Sequence, residues 1–154
     1  MELRKYRRAD LPAVLRIIRE TILTVNEKEY TQTQLRAWAS CFEDERVWAD
    51  RFQSGSAWVV IMDGELAGCS LLTKDGVADL LFVHKDYLRR GAASRLLWKM
   101  EAEASTRHDY LRTEASLTAL PFFQVMGFKV VERQIKITKG ISIKNIKMCK
   151  KLNT

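Results

Sequence analysis

Asp79, His84 and Glu114 are side chains of types that can move a proton, and between them runs Leu88-Arg89-Arg90-Gly91-Ala92-Ala93-Ser94, a lean and basic stretch that could hold a phosphate. The apolar run Leu80 to Val83 is too short for a helix and reads as a strand with both faces covered. After it, Ala93, Leu96, Leu97, Met100 and Ala104 recur at helical spacing. The basic stretch therefore lies at a helix N-terminus, where unpaired backbone N–H groups and the positive end of the dipole favour an anion. Gly91 has no Cβ to block a phosphate, and Arg89 and Arg90 add two charges. An ordinary turn with solvated arginines would carry the same pattern. Asp79 shares the parity of Leu81 and Val83, and a carboxylate among apolar neighbours is a stronger base; the alternative is a strand-end aspartate paired with an arginine. Glu114 is a second candidate base or a sheet-edge charge. His84 is a third, or a satisfied loop residue. Tyr30 and Trp38 could wall a substrate pocket, although Trp38 also fits a helix core stripe.

The elements that must position these groups follow from local pattern. Glu2 to Tyr6 reads as a strand, and Asp10 caps a helix with Pro12 in its first turn and Leu11, Val14, Leu15, Ile18 and Ile22 as its buried stripe. Thr31-Gln32-Thr33-Gln34 has the form of a capping box, opening a helix with Leu35, Trp38, Ala39 and Phe42 on one face. A short helix covers Glu45 to Phe52. Ala57–Met62, Leu66–Leu72 and Val77–Val83 then form an antiparallel meander around Asp63-Gly64 and Lys74-Asp75-Gly76. Tyr110 to Ala115 returns as a strand, and Thr118 to Met126 is a short helix ended by Gly127. Phe128–Thr138 and Ile141–Met148 close a hairpin around Lys139-Gly140, its alternating lysines forming a solvated face that protects the edge.

The 154 residues suit one domain, 1–154, able to bury about 70% of its unfolded surface. No apolar run approaches bilayer length and the N-terminus has no signal-peptide pattern, so a cytoplasmic protein without a membrane partner is expected. Cys41, Cys69 and Cys149 are odd in number and widely spaced, which argues against disulfides and, with only two histidines, against a metal. The net charge of +7 asks for a polyanion: nucleic acid, anionic lipid or a phosphorylated cofactor. Nothing pairs aromatics with the basic positions or supplies a recognition helix, so specific nucleic-acid binding is not expected.

The element order, with LFVHKDYLRRGAASRLL and SLTALPFFQVMGF, resembles the GNAT superfamily of acyl-CoA-dependent N-acyltransferases over nearly the whole chain. The first segment is similar to that family's acetyl-CoA pyrophosphate motif, the second to its pantetheine-lining segment. Tyr30, Gln34, Ala37-Trp38-Ala39 and DLLFVHKDYLRRGAAS look like the bacterial YafP-type subgroup. The resemblance implies an α/β (α+β) fold: a mixed, mostly antiparallel central sheet with helices on both faces. It implies acetyl-CoA as co-substrate, no metal, and an amine acceptor, small molecule or protein; a homodimer is compatible with it. Leu81, Phe82 and Val83 would line the cofactor arm, with Ser116, Phe122 and Phe123 opposite, while Arg89, Arg90, Gly91, Ala92, Ala93 and Ser94 would hold its phosphates. Three places depart from the family pattern. Leu88 stands where the loop begins with Gln or Arg, Ser116 where many members carry Asn, and Phe123 where many carry a thiolate-protonating Tyr.

Overall fold

In the computed structural model, which describes residues 1–153, strand β1 (Glu2–Lys5) leads through a 3-10 turn at Arg8–Asp10 into helix α1 (Leu11–Val25). Helices α2 (Gln32–Ser40) and α3 (Glu45–Ser54) follow, then β2 (Ser56–Met62), β3 (Glu65–Leu72) and β4 (Val77–Val83). A second 3-10 turn at Lys85–Tyr87 precedes α4 (Ala92–Ala104), β5 (Tyr110–Ser116), α5 (Leu120–Val125), β6 (Lys129–Thr138) and β7 (Ile141–Lys151). The strands form one sheet in the order β1-β2-β3-β4-β5-β7-β6, antiparallel throughout except for the β4–β5 pair, which α4 joins as a crossover. The expected mixed, mostly antiparallel sheet is what forms.

Helices cover both faces. The stripe Leu11, Val14, Leu15, Ile18 and Ile22 is fully buried, and with Leu35, Phe42, Trp48 and Phe52 it forms the core between α1–α3 and the sheet. Each such aliphatic side chain contributes about 1.5–3 kcal/mol by leaving water. On the other face Leu96, Leu97 and Met100 of α4 and Phe123 of α5 pack on Leu111, Ile146, Met148 and Val60. Thr31 makes its capping box: Thr31 Oγ1 accepts from Gln34 N–H at 3.2 Å and Gln34 Oε1 from Thr31 N–H at 2.8 Å. The cysteines are free, Cys69 fully buried with its thiol pushed up to about 12 by burial.

Asp10 does not cap α1. The 3-10 turn already places it in helical conformation, and its carboxylate instead accepts from Arg7 N–H at 2.8 Å and takes the Arg4 guanidinium bidentately at 2.9 Å. The Arg4 bond, offset in part by burial, and the Arg7 N–H hold the Asp10 carboxyl below the usual carboxylate range. A depressed folded value means that this stabilisation is complete above about pH 4, where the unfolded chain ionises, and is lost as the pH falls through the folded value. Asp10→Asn should therefore lower unfolding free energy by about 1–2 kcal/mol at pH 7, with the difference from wild type vanishing in strong acid, as urea titrations across pH will read.

Candidate functional site

The sheet forks in its middle. β4 and β5 pair only at Val77↔Arg112 and Ala78↔Thr113, the last pair reinforced by Thr113 Oγ1 donating to the Ala78 carbonyl at 2.9 Å. Beyond it the strands diverge, and the β4 backbone edge that faced β5 has no ladder partner. A strand buried on both faces would have been closed by its neighbours; here Asp79, Leu81 and Phe82 stay partly exposed in the gap. A bulge sharpens the fork. Between Leu71↔Leu80 and Leu72↔Ala78 the β4 chain carries one extra residue, Asp79. The bulge breaks the alternation, so Asp79 does not share the side of Leu81 and Val83: it meets Arg51 of α3, on the face that Leu80 and Phe82 occupy.

From the fork a cavity of about 760 Å³ runs to the N-terminus of α4. Leu81, Phe82 and Val83 line one wall, Ser116, Phe122 and Phe123 another, and Arg89, Gly91, Ala92, Ala93 and Ser94 its far end. Gly91 sits at φ 86° as the residue before α4, a left-handed conformation natural to glycine, and Arg89 is left-handed at 61°. A Cβ at Gly91 would approach nothing nearer than Met1 Cε at 3.9 Å, so the space before the helix is open. Arg90 turns elsewhere: its guanidinium meets Asp63 in the β2–β3 turn at 3.2 Å, outside the lining of the cavity. Leu88 lines the cavity with an apolar side chain. Ser116 Oγ accepts the Ala119 N–H at 3.0 Å, so its oxygen first serves the turn into α5. Phe123 is buried in edge-to-face contact with Phe122 and Phe128 at 5.4 and 5.1 Å and brings no ionisable hydrogen.

The three candidate bases separate. Asp79 and Glu114 both line the cavity. They are the first residues past the last paired position of the fork, one on each of the diverging strands. Asp79 Oδ2 accepts from Arg51, whose guanidinium lies 4.1 Å from the Trp48 ring centroid, while Asp79 Oδ1 has no partner among the described residues. Glu114 takes Gln134 Nε2 at 3.1 Å and Lys136 Nζ at 2.6 Å. Burial pushes its carboxyl up, but the Lys136 and Gln134 hydrogen bonds and the Lys147 charge outweigh that and hold it below the usual range. His84 lies outside the lining, because the 3-10 turn takes it away from the fork. Its Nδ1 accepts from Asp86 N–H at 3.2 Å, which leaves the proton on Nε2 to donate to Glu20 at 2.9 Å.

Tyr30 and Trp38 both line the cavity, with ring centroids 5.7 Å apart. The Tyr30 hydroxyl is occupied: it donates to the Lys144 carbonyl at 2.7 Å and accepts from Leu117 N–H at 2.9 Å, tying the α1–α2 connection to β7 and to the β5–α5 connection. Sequence reasoning missed Arg51, Lys136 and Asn145, all in the lining. Lys136 appears in sequence as one of several edge lysines, and only the β6–β7 register carries it to Glu114.

A family model described as the acetyltransferase (GNAT) domain matches residues 26–152. The chain is 30% identical over 148 residues, 96% of its length and 94% of the relative's, to the uncharacterized N-acetyltransferase YafP of Escherichia coli (strain K12). It therefore belongs to the GNAT acetyltransferase family. The crystal structure of a GCN5-related N-acetyltransferase from Rhodopseudomonas palustris is similar at TM-score 0.95 and 28% identity, covering 98% of this chain and 95% of that one. PaiA N-acetyltransferase from Thermoplasma acidophilum, solved with coenzyme A, shares the fold at TM-score 0.76 and 20% identity over 97% and 98% of the two chains. No helix among the described residues is long and apolar enough to cross a membrane.

Proposed function

We propose that this chain transfers the acetyl group of acetyl-CoA to the amine of an acceptor by direct attack, both substrates being held together in the forked cavity. The observation that carries this is the continuity of the cavity, which joins an open glycine-led helix N-terminus to two carboxylates at the fork. The residues fit the cofactor. N–H groups of the first turn of α4 and Arg89 would take the pyrophosphate. The unpaired β4 edge would take the amides of the pantetheine arm as an added strand does, with Phe122 and Phe123 on its apolar side. PaiA, with coenzyme A, and YncA of Salmonella typhimurium, solved with its cofactor acetyl-CoA at TM-score 0.70 and 15% identity, support this placement by likeness of fold.

Acetyl-CoA supplies a thioester carbonyl. The acceptor nitrogen forms the N–C bond as the C–S bond breaks, the nitrogen's proton passes to Asp79, directly or through a water, and CoA departs as thiolate. An amine of pKa about 10 is neutral in only roughly one part per thousand at pH 7, a handicap near ~4 kcal/mol, so a base at the fork has real effect. A thiol of pKa about 8.5 leaves without a donor, which makes Phe123 compatible with turnover. Phe123→Tyr should accordingly change kcat by less than about threefold, measured as thiol release. The same absence of a donor favours a second reading, a silent acyl-CoA sensor. Free CoA appearing faster with an amine than without supports transfer. Binding of acetyl-CoA with release never above background, across a broad amine panel, would leave the sensor.

A further inference from the structure

Two ion pairs line the acceptor end of the cavity: Arg51 from α3 with Asp79 from β4, and Lys136 from β6 with Glu114 from β5. The two carboxylates occupy equivalent places past Ala78↔Thr113, one on each strand, and each is tied to a cation from another element. Beyond them on the Glu114 side lies Asn145, opposite Ser116 in the β5–β7 register, with its Oδ1 buried and without a partner among the described residues. Lys147 faces Glu114 across the same ladder but is drawn to Glu132 at 3.8 Å.

This pattern bears on the kind of amine that can enter. An ammonium at Glu114 competes with Gln134 and Lys136, whereas at Asp79 it meets the open Oδ1 beside the Arg51 guanidinium, whose like charge disfavours a simple amine. Both pairs reach water, so each contributes little and yields readily to an acceptor that offers both signs of charge. An amine that brings its own carboxylate answers both signs: its ammonium meets a fork carboxylate and the Asn145 carbonyl oxygen, and its carboxylate takes the neighbouring guanidinium or ammonium, bidentately if Arg51. Polycationic acceptors gain no such exchange and face a chain of net charge +7.

We infer that the acceptor is a small zwitterion of the amino-acid class, recognised by exchange with the Arg51–Asp79 and Glu114–Lys136 pairs. This rests on the transfer reading above. The test offers each common amino acid beside its α-amide and its decarboxylated amine, following CoA release in the presence of acetyl-CoA and, separately, calorimetric binding to the CoA-loaded protein. The acid should exceed both of its counterparts by at least about tenfold in kcat/KM and in affinity, and Arg51→Gln with Lys136→Met should erase that preference while acetyl-CoA affinity stays level. Decarboxylated amines turned over as well as the acids would overturn the inference and leave transfer standing. Acids bound selectively without any CoA release would support the inference and overturn transfer. Failure of every acid to bind would overturn the inference outright.

Discussion

Replacing Asp79 with Asn should lower kcat by about a hundredfold to ten-thousandfold near neutral pH, the range lost with a general base. Asn preserves shape and can still meet Arg51, so the loss reports basicity. Asp79 is suited to the role because the bulge sets it at the mouth of the fork with Oδ1 open while Arg51 holds Oδ2. The deficit should shrink as the pH rises toward the acceptor's own pKa, where neutral amine becomes abundant without help. Acetyl-CoA affinity should hardly move, since the proposed phosphate site lies at the other end of the cavity. The ion pair supplies the competing account: if Asp79→Asn strongly lowers thermal stability while the folded fraction turns over normally, Asp79 is structural. Glu114 would then be the next base to test, although the Lys136 and Gln134 bonds that outweigh its burial weaken it for that role.

Gly91→Val should weaken acetyl-CoA binding by about tenfold to a hundredfold, a loss of roughly 1.4–2.8 kcal/mol. Two effects add. A β-branched residue resists φ 86°, at a cost of about 1–2 kcal/mol, and so unsettles the first turn of α4. Its side chain also enters the open space before the helix where the phosphates would lie. Gly91→Ala, with the strain but less bulk, should fall between Val and wild type. Lys147→Ala, at a β7 lysine outside the cavity lining, should leave the affinity within about twofold. Equal calorimetric affinities for wild type and Gly91→Val would remove the helix N-terminus from the account.

Features legible in the sequence are those whose cause is local. The Thr31 capping box closes within four residues, the α1 stripe repeats at helical period, and the change of period after Val83 marks the strand-to-helix junction with Gly91 at its start. Asp10 shows the limit even of local reasoning: the cap pattern is present, but Arg4 and Arg7 claim the carboxylate first. The fork and its charges were not legible. Alternation assigns Asp79 to the Leu81 side, and a single inserted residue, visible only against β3, reverses it. Arg51 and Lys136 lie 28 residues from Asp79 and 22 from Glu114, with nothing in their surroundings to mark them as partners. Tyr30 reads in sequence as a candidate pocket wall, yet its hydroxyl bridges segments 114 and 87 residues away, which no local pattern encodes.

The most direct measurement follows the acetyl carbon itself. Acetyl-CoA labelled at the carbonyl carbon is incubated with the protein and an amino-acid acceptor, and the label is located by NMR. The account predicts an amide carbonyl on the acceptor nitrogen, formed in equal amount with free CoA and suppressed in Asp79→Asn. Label remaining in the thioester, or recovered only as acetate, would contradict it.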